Sequence, residues 1–224
     1  MMKNITLIIP AKDESESLPL VLKKLKKHDF KIMVVLHKSD LKTINSIKPF
    51  KVKIVFQNNL GYGDALIKGI NNCKTEFFCI FNADGSFKIS EITKMKRILN
   101  SKKLDFIFGS RYQKNAYSHD DTALTYIGNF FFTKIGQIFF KLPITDILYT
   151  FVLGKAQKAK KLKLKSKNFA FCVELPIKAV KNKMLIKSSS SIEFKRIAGE
   201  KKVNEFRDGL KILYSMVKLF FKNA

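Results

Sequence analysis

Short apolar runs alternate with amphipathic stretches through the first half of the chain, and this alternation constrains the fold more than any other feature. The runs are residues 5–9 (Ile-Thr-Leu-Ile-Ile), Ile32-Met33-Val34-Val35-Leu36, Val52-Lys53-Ile54-Val55-Phe56, Phe77-Phe78-Cys79-Ile80-Phe81 and Phe106-Ile107-Phe108. They have strand length and are rich in β-branched or aromatic residues. Between them the spacing of apolar residues is helical. One helix is opened by Asp13-Glu14-Ser15-Glu16-Ser17 and a short one covers 40–47. Another runs from Gly61 to Asn72, and a fourth from Ser90 to Leu99. Strands alternating with helices in this way predict an α/β fold built on a doubly wound, mostly parallel sheet.

The second half reads differently. Residues 122–141 and 205–222 are expected to be amphipathic helices dense in Phe, Ile and Lys, and Lys155 to Lys167 carries seven lysines in an expected solvated helix and turn. Neither a repeat nor a flexible linker divides the chain. It is expected to form one compact domain, with residues 1–115 as a ligand-binding half and residues 116–224 as a second half.

The 43 Lys and Arg against 18 Asp and Glu give a formal charge of +25, which favours anionic partners. No motif with a base-reading or stacking role accompanies the charge, so nucleic acid is not the expected partner. Cys73, Cys79 and Cys172 lack metal-site spacing and are expected as buried free thiols in a reducing compartment. Met1-Met2-Lys3 leads straight into a strand without a signal peptide, and no uninterrupted apolar run reaches the roughly 18 residues of a spanning helix. A cytoplasmic protein, peripheral on the inner membrane face, is the expectation.

Chemistry concentrates where apolar runs end. The run at 77–81 passes into Asn82-Ala83-Asp84-Gly85-Ser86, a tight turn with oxygen-bearing side chains two apart. In open α/β sheets ligands sit beyond the carboxyl ends of the strands. Oxygen donors there suit a hard cation bridging phosphates. Pro10 to Glu14 and Gly109-Ser110-Arg111 follow other strands in the same manner, and Gly61-x-Gly63-x-Ala65-x-x-x-Gly69 opens a helix.

In their order and spacing these pieces resemble the family 2 glycosyltransferases, whose nucleotide-binding α/β fold is called GT-A. Gly128-Asn129, Ile144-Thr145-Asp146, Phe169-x-Phe171-x-x-Glu174, Arg196, Lys201-Lys202 and Asp208-Gly209 extend the resemblance almost to the C-terminus. They match the polyprenyl-phosphate (dolichyl-phosphate) mannosyl- and glucosyltransferase branch. The resemblance implies an inverting hexosyltransferase that moves a sugar from GDP-mannose or a UDP-sugar to a polyprenyl phosphate with Mg²⁺ or Mn²⁺. It implies donor contacts from Pro10, Ala11, Glu14, Asp40, Gly63, Asn82, Ala83, Asp84, Arg111 and Lys202. Metal ligation falls to Asn82, Asp84 and Ser86, and catalytic roles to Asp146, Arg196 and Glu174.

Four departures from the family pattern stand out. Asn82 replaces the first carboxylate of the usual D-x-D turn, and Leu36-His37-Lys38-Ser39-Asp40 stands where D-D-x-S is usual. Ile147 to Leu153 retains little of the segment that follows the acceptor-side Asp in relatives, and Cys172 replaces the first of two acidic residues. Two other readings therefore stay open: transfer to a glycan hydroxyl, and a catalytically weak sugar-nucleotide-binding homologue. A lipid acceptor also implies contact with an anionic membrane surface, directly or through a membrane-anchoring partner. The apolar faces of the helices at 122–141 and 205–222 are the expected direct contact, with burial in the core as their alternative fate.

Overall fold

A computed structural model of the chain describes residues 2–199 and 202–221. Its main sheet has seven strands, in the order β3-β2-β1-β4-β7-β5-β8. These are β1 (Ile5–Pro10), β2 (Lys31–Leu36), β3 (Lys53–Phe56), β4 (Phe77–Ile80), β5 (Phe106–Ser110), β7 (Val152–Lys155) and β8 (Ile186–Ser190). Neighbours pair in parallel except around β7, which is antiparallel to both β4 and β5. A small sheet joins β6 (Tyr117–Ser118) to β9 (Ile192–Glu193).

The continuous apolar runs arise because the sheet is covered on both faces. Along β4, Phe78 and Ile80 enter one core while Phe77, Cys79 and Phe81 enter the other. On β2, Met33 and Val35 alternate with Val34 and Leu36 in the same sense. Helices α1 (Ser17–Leu25), α2 (Leu41–Ile47) and α4 (Ile89–Ser101) close one face. The other is closed by α3 (Tyr62–Asn72), α5 (Ala123–Phe140), α6 (Ala156–Lys161), α7 (Phe171–Lys181) and α8 (Glu205–Phe221). Full burial of a side chain such as Phe78 or Phe106 stabilises by about 1.5–3 kcal/mol.

Strand β7 threads the second half of the chain into the sheet of the first. Its Gly154 pairs with Phe78 on one side and Phe106 on the other. The two rings meet edge-on with centroids 6.3 Å apart. A Cβ at Gly154 would lie 2.2 Å from the Phe106 ring, so only glycine lets these rings close over the strand.

Several expectations need correction in detail. Residues 13–16 form a loop, and α1 begins only at Ser17. The lysine-rich stretch is not simply solvated: Leu162 is buried, and the Lys160 ammonium donates to the Cys73 carbonyl at 2.7 Å. Lys201 and Lys222 lie outside the described residues. All three cysteines are free and buried.

Candidate active site

The loops after β1, β4 and β5 emerge along one edge of the sheet, and residues 194–199, after β9, pack onto the β4 loop. Beneath the β4 loop, Phe81, Phe87, Tyr149 and Phe151 pack ring against ring, with centroids 4.6 Å apart for Phe87 and Phe151. On this apolar base the turn at 82–86 is closed by its own polar atoms. Asp84 Oδ1 accepts from the Ser86 amide at 2.9 Å and from the Ser86 hydroxyl at 2.7 Å. Ser86 Oγ in turn accepts from Asn82 Nδ2 at 3.2 Å. Gly85 takes φ +80°, the left-handed region open to glycine, where any larger residue would also strike Ile197.

The three expected metal ligands therefore form one connected group. Ser86 is buried and donates into Asp84, so its hydroxyl serves to orient the carboxylate. Asp84 Oδ2 makes no hydrogen bond among the described residues, and Asn82, which turns its Nδ2 to Ser86, makes none through Oδ1 among them. These are hard oxygen donors. Among the described residues no cluster of three or more His, Cys, Asp or Glu side chains is placed to hold a metal. A cation here must complete its shell from a ligand, as Mg²⁺ does with one or two carboxylates and substrate phosphates. The donor set fits that use.

The covering segment is tied to the turn by backbone. Phe194 donates to the Ser86 carbonyl at 2.9 Å and Ile197 to the Asp84 carbonyl at 2.8 Å. Arg196, between them, pairs with Asp120 at 2.7 Å and remains partly exposed. Burial works against its charge, but Asp120, Asp84 and Glu14 together raise its pKa above the ordinary value. Glu14 faces the same space. Burial pushes its carboxyl above the usual range and the Asp84 charge adds to this, while Ser17, Lys202 and Arg196 act in the opposite direction. Lys202 is exposed. Glu14, Asp84, Arg196 and Lys202 thus share one electrostatic environment.

Other expected site residues are engaged in the fold. Asp40 caps α2 through the Thr43 amide and also accepts from the Asp13 amide at 2.8 Å, which fixes the loop that carries Glu14. His37 bonds to Ser39 within its own turn. Pro10 ends β1, and the buried Ala11 continues the ladder onto the Val35 carbonyl. Ala83 is buried under the turn. A Cβ on Gly63 would fall 2.1 Å from the Ser166 carbonyl oxygen, so this glycine admits the 166–168 loop against α3.

Arg111 and Asp146 find each other. Asp146 is fully buried and accepts from the Arg111 amide, Nε and Nη2 at 3.0, 2.8 and 3.1 Å, and from Asn129 Nδ2 at 2.8 Å. Arg111 also reaches Glu193 at 3.1 Å. This arrangement engages both side chains with each other. Bidentate geometry on a desolvated carboxylate makes a strong, directional pair. Glu174 is likewise committed. It accepts from the Lys165 and Ser166 amides and pairs with Lys178 at 2.7 Å. Burial raises its pKa, but Lys178 and those amides more than offset this and leave it below the usual range.

Asp120 and Glu193 were not singled out from sequence. Their partners are 76 and 82 residues away, and only folding brings them together.

Residues 6–163 match the family model described as glycosyl transferase family 2. An uncharacterized protein of Methanocaldococcus jannaschii is 26% identical over 223 residues, covering 95% of this chain and 90% of its own length. Among solved structures, glucosyl-3-phosphoglycerate synthase from Mycobacterium tuberculosis in complex with Mn²⁺, UDP and phosphoglyceric acid is similar in fold. Its TM-score is 0.72 at 11% identity, over 97% of this chain and 78% of that one. The same enzyme in complex with Mn²⁺, UDP-glucose and phosphoglyceric acid has a TM-score of 0.73 at 10% identity, over 96% and 79%.

Proposed function

The chain belongs to glycosyl transferase family 2, and from that premise we propose that it transfers a hexose from a nucleoside-diphosphate sugar, with inversion, to a polyprenyl phosphate. The donor diphosphate sits over the turn at 82–86, with Glu14 accepting a hydrogen bond from the nucleoside. Asp84 Oδ2 and Asn82 Oδ1 are the atoms that would hold Mg²⁺ or Mn²⁺, which supplies Lewis acidity to the departing diphosphate when bound. Arg196 and Lys202 bring fixed positive charge to the same leaving group. Two solved structures of one enzyme of similar fold carry Mn²⁺ with UDP or UDP-glucose, which supports testing UDP-glucose first and GDP-mannose beside it.

One observation carries the acceptor class. Among the described residues of the second half, the carboxylates near this edge are already engaged: Asp146 by Arg111 and Asn129, Glu174 by Lys178 and two amides, Glu193 by Arg111 and Ser118, Asp120 by Arg196 and Asp121 by Tyr112 and Thr125. A hydroxyl acceptor needs a carboxylate free to take its proton. A phosphate oxygen is anionic near neutral pH and needs only to be positioned.

The test offers each donor, with and without Mn²⁺, to polyprenyl phosphate, 3-phosphoglycerate and a soluble glycan, and reads products by mass spectrometry. Metal-dependent transfer to polyprenyl phosphate is expected. Transfer to the glycan or to phosphoglycerate alone would move the acceptor to a hydroxyl, and donor binding without any turnover would favour a sugar-nucleotide-binding homologue. A second prediction concerns the metal. Asn82→Asp adds a charged oxygen ligand and is expected to tighten Mn²⁺ binding about tenfold in the presence of nucleoside diphosphate, near 1.4 kcal/mol. Isothermal titration reads this directly, and unchanged affinity would place the metal elsewhere.

A further inference from the structure

Helix α5 is apolar on two opposite sides. Phe132, Gly136 and Phe140 face the core, yet Leu124, Ile127, Phe131 and Ile138 form a second row that stays exposed, with Ile127 at 63% and Ile138 at 67%. Helix α8 repeats this. Ile212, Met216 and Leu219 are buried, while Phe206, Leu210, Tyr214, Val217 and Phe221 make an exposed row, with Phe206 and Phe221 each at 79%. A helix apolar all round is ordinarily enclosed by protein or lipid. Among the described residues nothing covers the outer rows.

The two helices lie side by side. Gly209 stands against the Phe132 ring, and Phe220 meets Phe139 and Phe140 with centroids 5.8 and 6.0 Å apart. The exposed rows therefore belong to one surface, larger than the scattered apolar residues of ordinary protein exteriors. Cations border it. Arg207 and Lys218 each follow a residue of the α8 row and are exposed. Lys134 lies within the α5 row, its ammonium 5.4 Å from the centre of the Phe130 ring. A lysine stem lying along apolar surface with its amine at the edge suits an interface between hydrocarbon and water.

We propose that the α5–α8 face docks the protein on a bilayer containing anionic phospholipid, with the aromatic and aliphatic rows entering the headgroup boundary. Charge selects this occupant over a second copy of the chain. Two copies would bring +25 against +25, whereas anionic lipid complements the cations around the patch. The contact involves no spanning segment: among the described residues no helix is long and apolar enough to cross a membrane. Both helices start at the rim of the candidate active site. Asp120, just before α5, holds Arg196, and the segment bound to Asp84 leads into α8. Docking would set that rim against the lipid surface. The proposal requires the folded chain alone and does not depend on the acceptor, so vesicle binding and sugar transfer can fail separately.

The experiment is flotation of the full chain with vesicles of phosphatidylcholine alone or mixed with phosphatidylglycerol. Binding is expected to the mixed vesicles, at least tenfold stronger than to the neutral ones. The variant Ile127→Gln/Phe131→Gln/Phe206→Gln/Val217→Gln changes exposed side chains only. It is expected to keep the wild-type melting temperature and lose at least tenfold in vesicle binding. Lys134→Glu/Lys218→Glu is expected to abolish the preference for anionic lipid. The proposal is overturned if the wild-type chain does not float with anionic vesicles, whether light scattering then finds a monomer or a dimer, or if both variants bind as the wild type does.

Discussion

Asp84→Ala is expected to lower kcat/KM for sugar transfer by about 10²–10³, the scale set by removing one preorganised group that stabilises developing charge. Two tasks are expected of this carboxylate. Oδ1 is spent on the Ser86 amide and hydroxyl, and Oδ2 has no hydrogen-bond partner among the described residues. Loss of the first task costs stability on the order of 1 kcal/mol, a fall in melting temperature of about 2–4 °C for a chain this size. Loss of the second removes the metal-dependent part of donor binding. Wild-type protein with Mn²⁺ and nucleoside diphosphate at a hundred times Kd gains roughly 2.7 kcal/mol of stability. That thermal shift is expected to vanish in Asp84→Ala, and a full shift in the variant would mean that Asp84 does not serve the metal.

Arg111→Met is expected to act on the fold. It leaves Asp146 buried with Asn129 as its remaining side-chain donor and takes a partner from Glu193. Removing one member of a buried ion pair costs about 3–5 kcal/mol, or roughly 10 °C in melting temperature. Pairing it with Asp146→Asn removes the stranded charge and is expected to recover part of the loss. Donor affinity of the folded fraction is expected to stay within about twofold of wild type. The opposite pattern, an unchanged melting temperature with donor affinity lost, would return Arg111 to the role that the family resemblance implies.

Local chemistry explains which parts were legible in advance. Strands β1 to β5 and helices α3, α5 and α8 announce themselves because each is an uninterrupted run with its own period. Strand β8 does not. It reads Ile-Lys-Ser-Ser-Ser and sits at the sheet edge, where only one neighbour constrains it. Strand β7 is four residues long and owes its place to Phe78 and Phe106 closing over Gly154. The turn at 82–86 was legible for the opposite reason, since every polar contact that closes it lies within five consecutive residues.

By itself, then, the sequence determined the mostly parallel α/β architecture, the family and the turn at 82–86, all carried by short-range patterns. Tertiary structure decided what the distant charges do. Whether Asp146 is a base or an anchor depends on Arg111, 35 residues before it, and on their joint removal from water. The same holds for the outer rows of α5 and α8. Their residues have the composition of a core, and only the packed helices show which side of each remained without one. A side chain's chemistry is local, but its solvent and its partner are properties of the fold.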